Sequence, residues 1–164
     1  MALRIANPSL HQKNIQATFF MNRHDLDYLV ECRPMAMKSL TPVLMVNNVP
    51  DSVAFYEREF GFKCLVVVPD IGTPVFAILK CGSVDIMIQQ RESLEEEIPF
   101  FAKKELGGTF TIYINVEDVQ VLYEKVKPNL TLVQELHDTF YGSTEFAVLD
   151  CNGYVLAFAE HKSA

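Results

Sequence analysis

Phe76-Ala-Ile-Leu-Lys-Cys81-Gly82 returns later in the chain as Phe146-Ala-Val-Leu-Asp-Cys151-Asn-Gly153, offset by 70 with one residue inserted. Phe55-Tyr56-Glu57 returns as Leu122-Tyr123-Glu124, offset by 67. Matches at nearly constant offset in several places identify an internal repeat. The unit that repeats is legible around each match. Leu40 to Val46 reads as a strand, rich in β-preferring residues. Asn48 is placed to cap a helix, with Pro50 in its first turn and Asp51 three residues on, a capping-box spacing. Val53, Phe55, Tyr56 and Phe60 share a helical face, and Gly61 closes it. Strands follow at Lys63–Val68, Val75–Leu79 and Val84–Gln89, divided by the turn signals Pro69-Asp-Ile-Gly-Thr-Pro74 and Cys81-Gly-Ser83. The order is β-α-β-β-β.

The second copy starts with a strand at Thr109–Asn115 and a cap at Asp118. A helix follows at Val119–Val126, then strands at Leu130–His137, Thr144–Leu149 and Tyr154–Glu160. Between the copies, Arg91–Leu106 reads as a linking helix closed by Gly107-Gly108, with acidic residues early and Lys103 and Lys104 late, as the helix dipole favours. The expected fold is α+β: two βαβββ repeats, about 40–90 and 109–161, forming a cupped eight-stranded mixed sheet. One such unit covers only one face of its sheet with a helix. Joined edge to edge, two units leave a concave face that can serve as a pocket.

Residues 1–36 are polar and weakly periodic and are expected to form an N-terminal extension ahead of a domain over 37–164. Either Met35 or Met37 could be the true start, making the leader a gene-boundary artefact; the alternative is a dimerisation arm. Both remain open.

About half of the 164 residues are apolar, a globular composition. No run of about 18 apolar residues occurs, and no basic-then-apolar leader, so neither a membrane nor secretion is expected and the default address is cytoplasmic. The four cysteines, Cys32, Cys64, Cys81 and Cys151, form no C-x-x-C pair and are expected to be reduced thiols. The net charge of −7 argues against nucleic acid as a partner and is compatible with a cationic ligand.

The stretch Leu44-Met-Val-Asn-Asn-Val-Pro-Asp-Ser-Val-Ala-Phe-Tyr56, followed by Gly61-Phe62, resembles the vicinal oxygen chelate superfamily of glyoxalases, bleomycin resistance proteins and extradiol dioxygenases. Ile114-Asn-Val-Glu-Asp-Val-Gln-Val-Leu-Tyr123 is the second-half counterpart. Tyr141-Gly142, then Glu145-Phe146 and Asp150-Cys-Asn-Gly153-Tyr154, is similar to the family's G…F…D-P-x-G signature, with Cys151 in place of proline. The likeness covers Leu40 to His161.

The resemblance implies where a metal would sit in metal-dependent members, whose four ligands are His or Gln and Glu on the first and fourth strands and His and Glu on the fifth and eighth. Here those positions fall on Thr41, on Ile86 or Met87, on Thr111 and on Ala157, none of which supplies an imidazole or a carboxylate. No metal and no cofactor are therefore expected. Strand alternation instead puts Thr41, Val43 and Met45 on one face of the first repeat and Thr111, Tyr113 and Asn115 on the matching face of the second. Phe140 and Tyr141 stand at the rim, where they could stack on a flat guest. These eight are the candidate ligand-binding residues; the alternative is that they fill the cup as core.

His137 stands at a strand end, and no Ser-His-Asp spacing or phosphate loop occurs, so no catalytic residue is singled out. The expected function is a metal-free, bleomycin-resistance-like binding protein for a small organic molecule, acting as a homodimer. The alternatives are a metal-dependent glyoxalase-type lyase or dioxygenase, and a structural or regulatory partner protein.

Overall fold

A computed structural model describes residues 38–161. The readings of residues 1–36 and of Cys32 lie outside that range. The chain divides after Leu40. Of the first unit only Lys38–Leu40 is described, without regular secondary structure, and every element below belongs to the second unit.

The order is β1 (Val43–Val46), α1 (Val49–Phe60), β2 (Lys63–Val68), β3 (Phe76–Cys81), β4 (Val84–Gln90) and α2 (Arg91–Glu97). A 3-10 turn at Pro99–Phe101 leads to β5 (Thr111–Asn115), α3 (Val119–Val126), β6 (Leu132–Asp138), β7 (Ser143–Leu149) and β8 (Val155–His161). The class is α+β, and both βαβββ repeats are present. Their strands hydrogen-bond as two four-stranded mixed sheets, ordered β1-β4-β3-β2 and β5-β8-β7-β6. In each, the first strand pairs parallel to the fourth and the rest are antiparallel.

Local chemistry explains the boundaries. β1 begins at Val43, not Leu40, because Pro42 has no N–H for the ladder; its carbonyl still accepts from Met87 N at 2.9 Å. Asn48 Oδ1 caps α1 by accepting from Asp51 N at 3.0 Å, and Gly61, left-handed at φ 72°, closes it. The linking helix is shorter than the expected 91–106. It stops at Glu97, since Ile98 precedes Pro99 and takes φ −130° and ψ 88°. Gly107-Gly108 therefore cap nothing. Asp118 also differs from expectation. It precedes α3 in a left-handed conformation with no side-chain cap, and Glu160 on β8 accepts from Val119 N at 2.9 Å instead.

Alternation sends one face of each sheet inward. Leu44, Val46, Leu79, Ile86 and Ile88 from the first repeat join Phe146, Val148, Leu156 and Phe158 from the second in one buried cluster. Phe158 stacks between Phe60 at the end of α1 and Phe146 on β7, with both centroid distances 5.2 Å. The opposite faces of both sheets lie outside this cluster, although Met45, Ala147 and Ala159 on them are also buried. No described helix is long and apolar enough to cross a membrane.

Candidate functional site

On the first sheet, the register places Val43 and Met45 of β1 beside Met87 and Gln89 of β4, with Ile78 and Phe76 of β3 beyond them. Over β1 the linker builds a wall. Arg91 donates to the Asn47 side chain at 3.2 Å and to the Lys104 carbonyl at 2.7 Å, which fastens the chain after α2 to the turn after β1. Leu94, Phe100, Phe101 and Phe110 then enclose a cavity of about 590 Å³ with Val43, Met45 and Tyr154. The Tyr154 hydroxyl donates to the Met45 carbonyl at 2.9 Å, holding the start of β8 against β1. Lys104 lies over the Phe100 ring at 5.0 Å. A mostly apolar hollow of this volume with few polar groups has the make-up of a small-molecule site.

The outer face of the second sheet is chemically different. Its β8 carries only Ala157 and Ala159 between Tyr113 on β5 and Glu145 on β7. Small side chains there let Tyr113 reach across the strand and donate to Glu145 Oε1 at 2.6 Å. Ser143 donates to the same oxygen at 2.6 Å and Tyr141 at 3.1 Å. Burial alone would push the Glu145 carboxyl up. The hydrogen bonds from Ser143, Tyr113 and Tyr141, with the nearby His137 imidazole, outweigh it and hold the group below the ordinary glutamate value. Glu145 is thus a carboxylate at neutral pH.

The same bond, followed by desolvation, pushes the Tyr113 phenol from 10.0 up to about 12. A raised phenol pKa means the folded state keeps the proton more tightly. The gain is complete below the ordinary tyrosine value and fades as pH rises through about 12. Alkaline titration followed by phenolate absorbance should therefore show a step near pH 12 that is absent in Tyr113→Phe and displaced downward in Glu145→Gln. A step unmoved by either change would mean that this bond does not form.

The eight sequence-derived candidates do not converge. Val43 and Met45 line the large cavity. Tyr113 and Tyr141 meet at Glu145. Asn115 instead borders a separate hollow of about 210 Å³ with Phe60, Phe62 and Phe158. Thr41 is half-buried just before β1, and Thr111 is exposed on β5; neither lines the large cavity. Phe140 is fully exposed and packs edge-on against Tyr141 at 4.9 Å. Sequence reasoning missed Glu145, Ser143 and the linker aromatics. The expected strand began at Thr144 and left Ser143 out, whereas β7 begins at Ser143 and puts it on the Glu145 face, and no spacing pointed to Tyr113 as their partner.

The strands place the four positions that the family resemblance assigns to a metal ion. Ile86 is buried in the core, so the fourth-strand position on the outer face is Met87. With Thr41, Thr111 and Ala157 this offers two neutral hydroxyls, a thioether and a methyl. Asp85 shares the face but pairs with Lys80 at 2.8 Å, and Gln89 donates to Glu97 at 2.8 Å and to Ser93. These residues do not fit a divalent ion that needs several imidazole or carboxylate donors. Among the described residues no three His, Cys, Asp or Glu side chains gather at one point.

The Glyoxalase/Bleomycin resistance protein/Dioxygenase superfamily model matches residues 38–158. Bleomycin resistance proteins of Geobacillus stearothermophilus and Staphylococcus aureus are 28% identical over 126 residues, covering 71% of this chain and 92% of the relative. Among solved structures, a protein of unknown function from Agrobacterium tumefaciens str. C58 superposes with TM-score 0.64 at 25% identity, covering 77% of this chain and 96% of its own. A glyoxalase/bleomycin resistance protein/dioxygenase from Nocardioides gives TM-score 0.68 at 14% identity, covering 86% and 95%, which is a likeness of fold.

Proposed function

Since this chain belongs to the glyoxalase/bleomycin resistance protein/dioxygenase superfamily, we propose that it is a metal-free binding protein for a small aromatic or amphipathic organic molecule, working as a pair of copies. The observation that carries this reading is the cavity of about 590 Å³ over β1, walled by Phe100, Phe101, Phe110 and Tyr154. Aromatic walls offer a flat guest large contact area, and its size suits a drug-like compound. The Thr41, Met87, Thr111 and Ala157 set supports binding without an ion. Two copies are supported by the exposed apolar side chains Val43, Leu65, Val66 and Val68 on the first sheet, whose β2 is an edge strand. A second copy would cover them.

The test is titration calorimetry with bleomycin and with other planar aromatic compounds, alongside sedimentation of the same sample. Binding of one guest per chain, a raised Tm and a species of twice 18.6 kDa are expected. No heat and no change in melting with any of these compounds would end the reading. So would stoichiometric nickel, zinc, manganese or iron in the purified protein.

A further inference from the structure

We propose that the Glu145 carboxylate, on the outer face of the second sheet, is a recognition site for an organic cation: an alkylammonium or guanidinium group attached to an apolar body. The inference rests on the reading of this protein as a small-molecule binder and names the group that the second sheet selects.

The first support is how the carboxylate is used. All three hydroxyls, from Tyr113, Tyr141 and Ser143, donate to Oε1. Oε2 accepts no hydrogen bond from a described residue, and it is not sealed from solvent. Glu145 as a residue is only 8% exposed, and Oε2 is its one carboxylate oxygen without a hydrogen bond from a described residue. Three donors on one oxygen orient the group and leave the other unused. That is preorganisation for an incoming N–H donor.

The second support is the lack of an ion pair. Among the described residues, none of the ion pairs involves Glu145. The basic side chain opposite it on β6, His137, acts on it through charge alone, and its ring nitrogens are engaged elsewhere, Nδ1 with the Glu135 carbonyl at 3.0 Å and Nε2 with the Gln134 amide at 3.3 Å. A nearly buried carboxylate that stays ionised without an ion-pair partner gains from a ligand that brings one.

The third support is the flanking rings. Tyr113 and Tyr141, whose hydroxyls meet at Glu145, are 47% and 57% exposed, and the fully exposed Phe140 packs against Tyr141, so aromatic surface is open beside the carboxylate. Aromatic faces attract cations and also accept the apolar body that carries one. A neutral guest would use the rings and at most a neutral hydrogen bond. A cationic one uses the rings and Oε2 together.

The competing account is that the network only braces β5 and β7 across β8. The two differ in what Glu145→Gln does. A glutamine keeps a carbonyl oxygen for the three hydroxyls but replaces Oε2 and the charge with an NH₂ group. The probes are 2-phenylethylammonium and its neutral isostere 2-phenylethanol, titrated into the full-length protein by calorimetry or NMR. The ammonium should bind about tenfold to a hundredfold tighter than the alcohol. In Glu145→Gln it should fall to within about twofold of the alcohol measured in the same variant. Tyr141→Leu should weaken both probes by several-fold.

Equal affinity for both probes in the unaltered protein, or an unaltered preference in Glu145→Gln, overturns the cation site and leaves the small-molecule reading standing. If neither probe binds while bleomycin or a planar compound does, the cation site alone is wrong. If nothing binds, both fall.

Discussion

Replacing Gly107 with alanine should destabilise the protein by about 3–5 kcal/mol, with a fall in Tm on the order of 10–20 °C. Gly107 has φ +86°, in the left-handed region, and an added Cβ would lie 2.4 Å from the Gly153 carbonyl oxygen and 3.0 Å from its carbon. Both are backbone atoms, so no rotamer change relieves the clash. The linker would have to lift off the turn between β7 and β8, next to Tyr154, whose hydroxyl holds β8 to the Met45 carbonyl. The wall of the large cavity runs through this segment, so guest binding there should weaken in the same variant. Gly82→Ala is the matched control. Gly82 also has positive φ, +57°, but its added Cβ meets nothing within 4 Å, so only backbone strain of about 1–2 kcal/mol is expected. Thermal melting of the two variants decides the matter. If they melt together, the close approach of Gly107 to Gly153 is not what the glycine is for.

Asp150→Ala should cost about 3–5 kcal/mol by chemical denaturation, because it strips one acceptor from three donors at once. Asp150 is buried. Its Oδ2 accepts from the Tyr56 hydroxyl at 2.7 Å, and its Oδ1 accepts from the backbone N–H of Asn152 and of Tyr154, each at 2.8 Å. Burial first, and then the Asp150 carboxylate, push the Tyr56 phenol upward, so it remains a donor through the accessible pH range. The residue joins α1 of the first repeat to the β7–β8 turn of the second, and Asn152 adds a bond to Ser52 at 3.1 Å. Tyr56→Phe removes one donor and leaves the two amide bonds intact, so about 1–2 kcal/mol is expected. In a double-mutant cycle the two changes should be strongly non-additive. Additive losses would show that the contact contributes little across the junction.

These residues also show how far the sequence could be read. Asp150 and Gly153 were visible as parts of a repeated and family-like stretch, but the tie from Asp150 to Tyr56 spans 94 positions and leaves no periodic trace. Gly107 was visible as a glycine and was assigned to the end of a helix that in fact stops ten residues earlier, at Pro99's bidding. The cap of α3 shows the same limit. Asp118 has the residue type and position of a cap, yet Glu160 on a distant strand performs the role. Local chemistry ranks candidates, and tertiary proximity chooses among them.

The α+β class, the two βαβββ units and the inward faces of their strands follow from the sequence alone. Alternation and turn chemistry act over a few residues, and the repeat displays them twice. The absence of imidazole and carboxylate at Thr41, Thr111 and Ala157 is equally a property of the letters. Tertiary structure decided that Met87 rather than Ile86 faces outward, that Val43 and Met45 belong to a linker-walled cavity, and that Tyr113 and Tyr141 meet instead at Glu145. Contacts across strands depend on register and on the small residues between partners, and neither quantity has a period that the chain writes down.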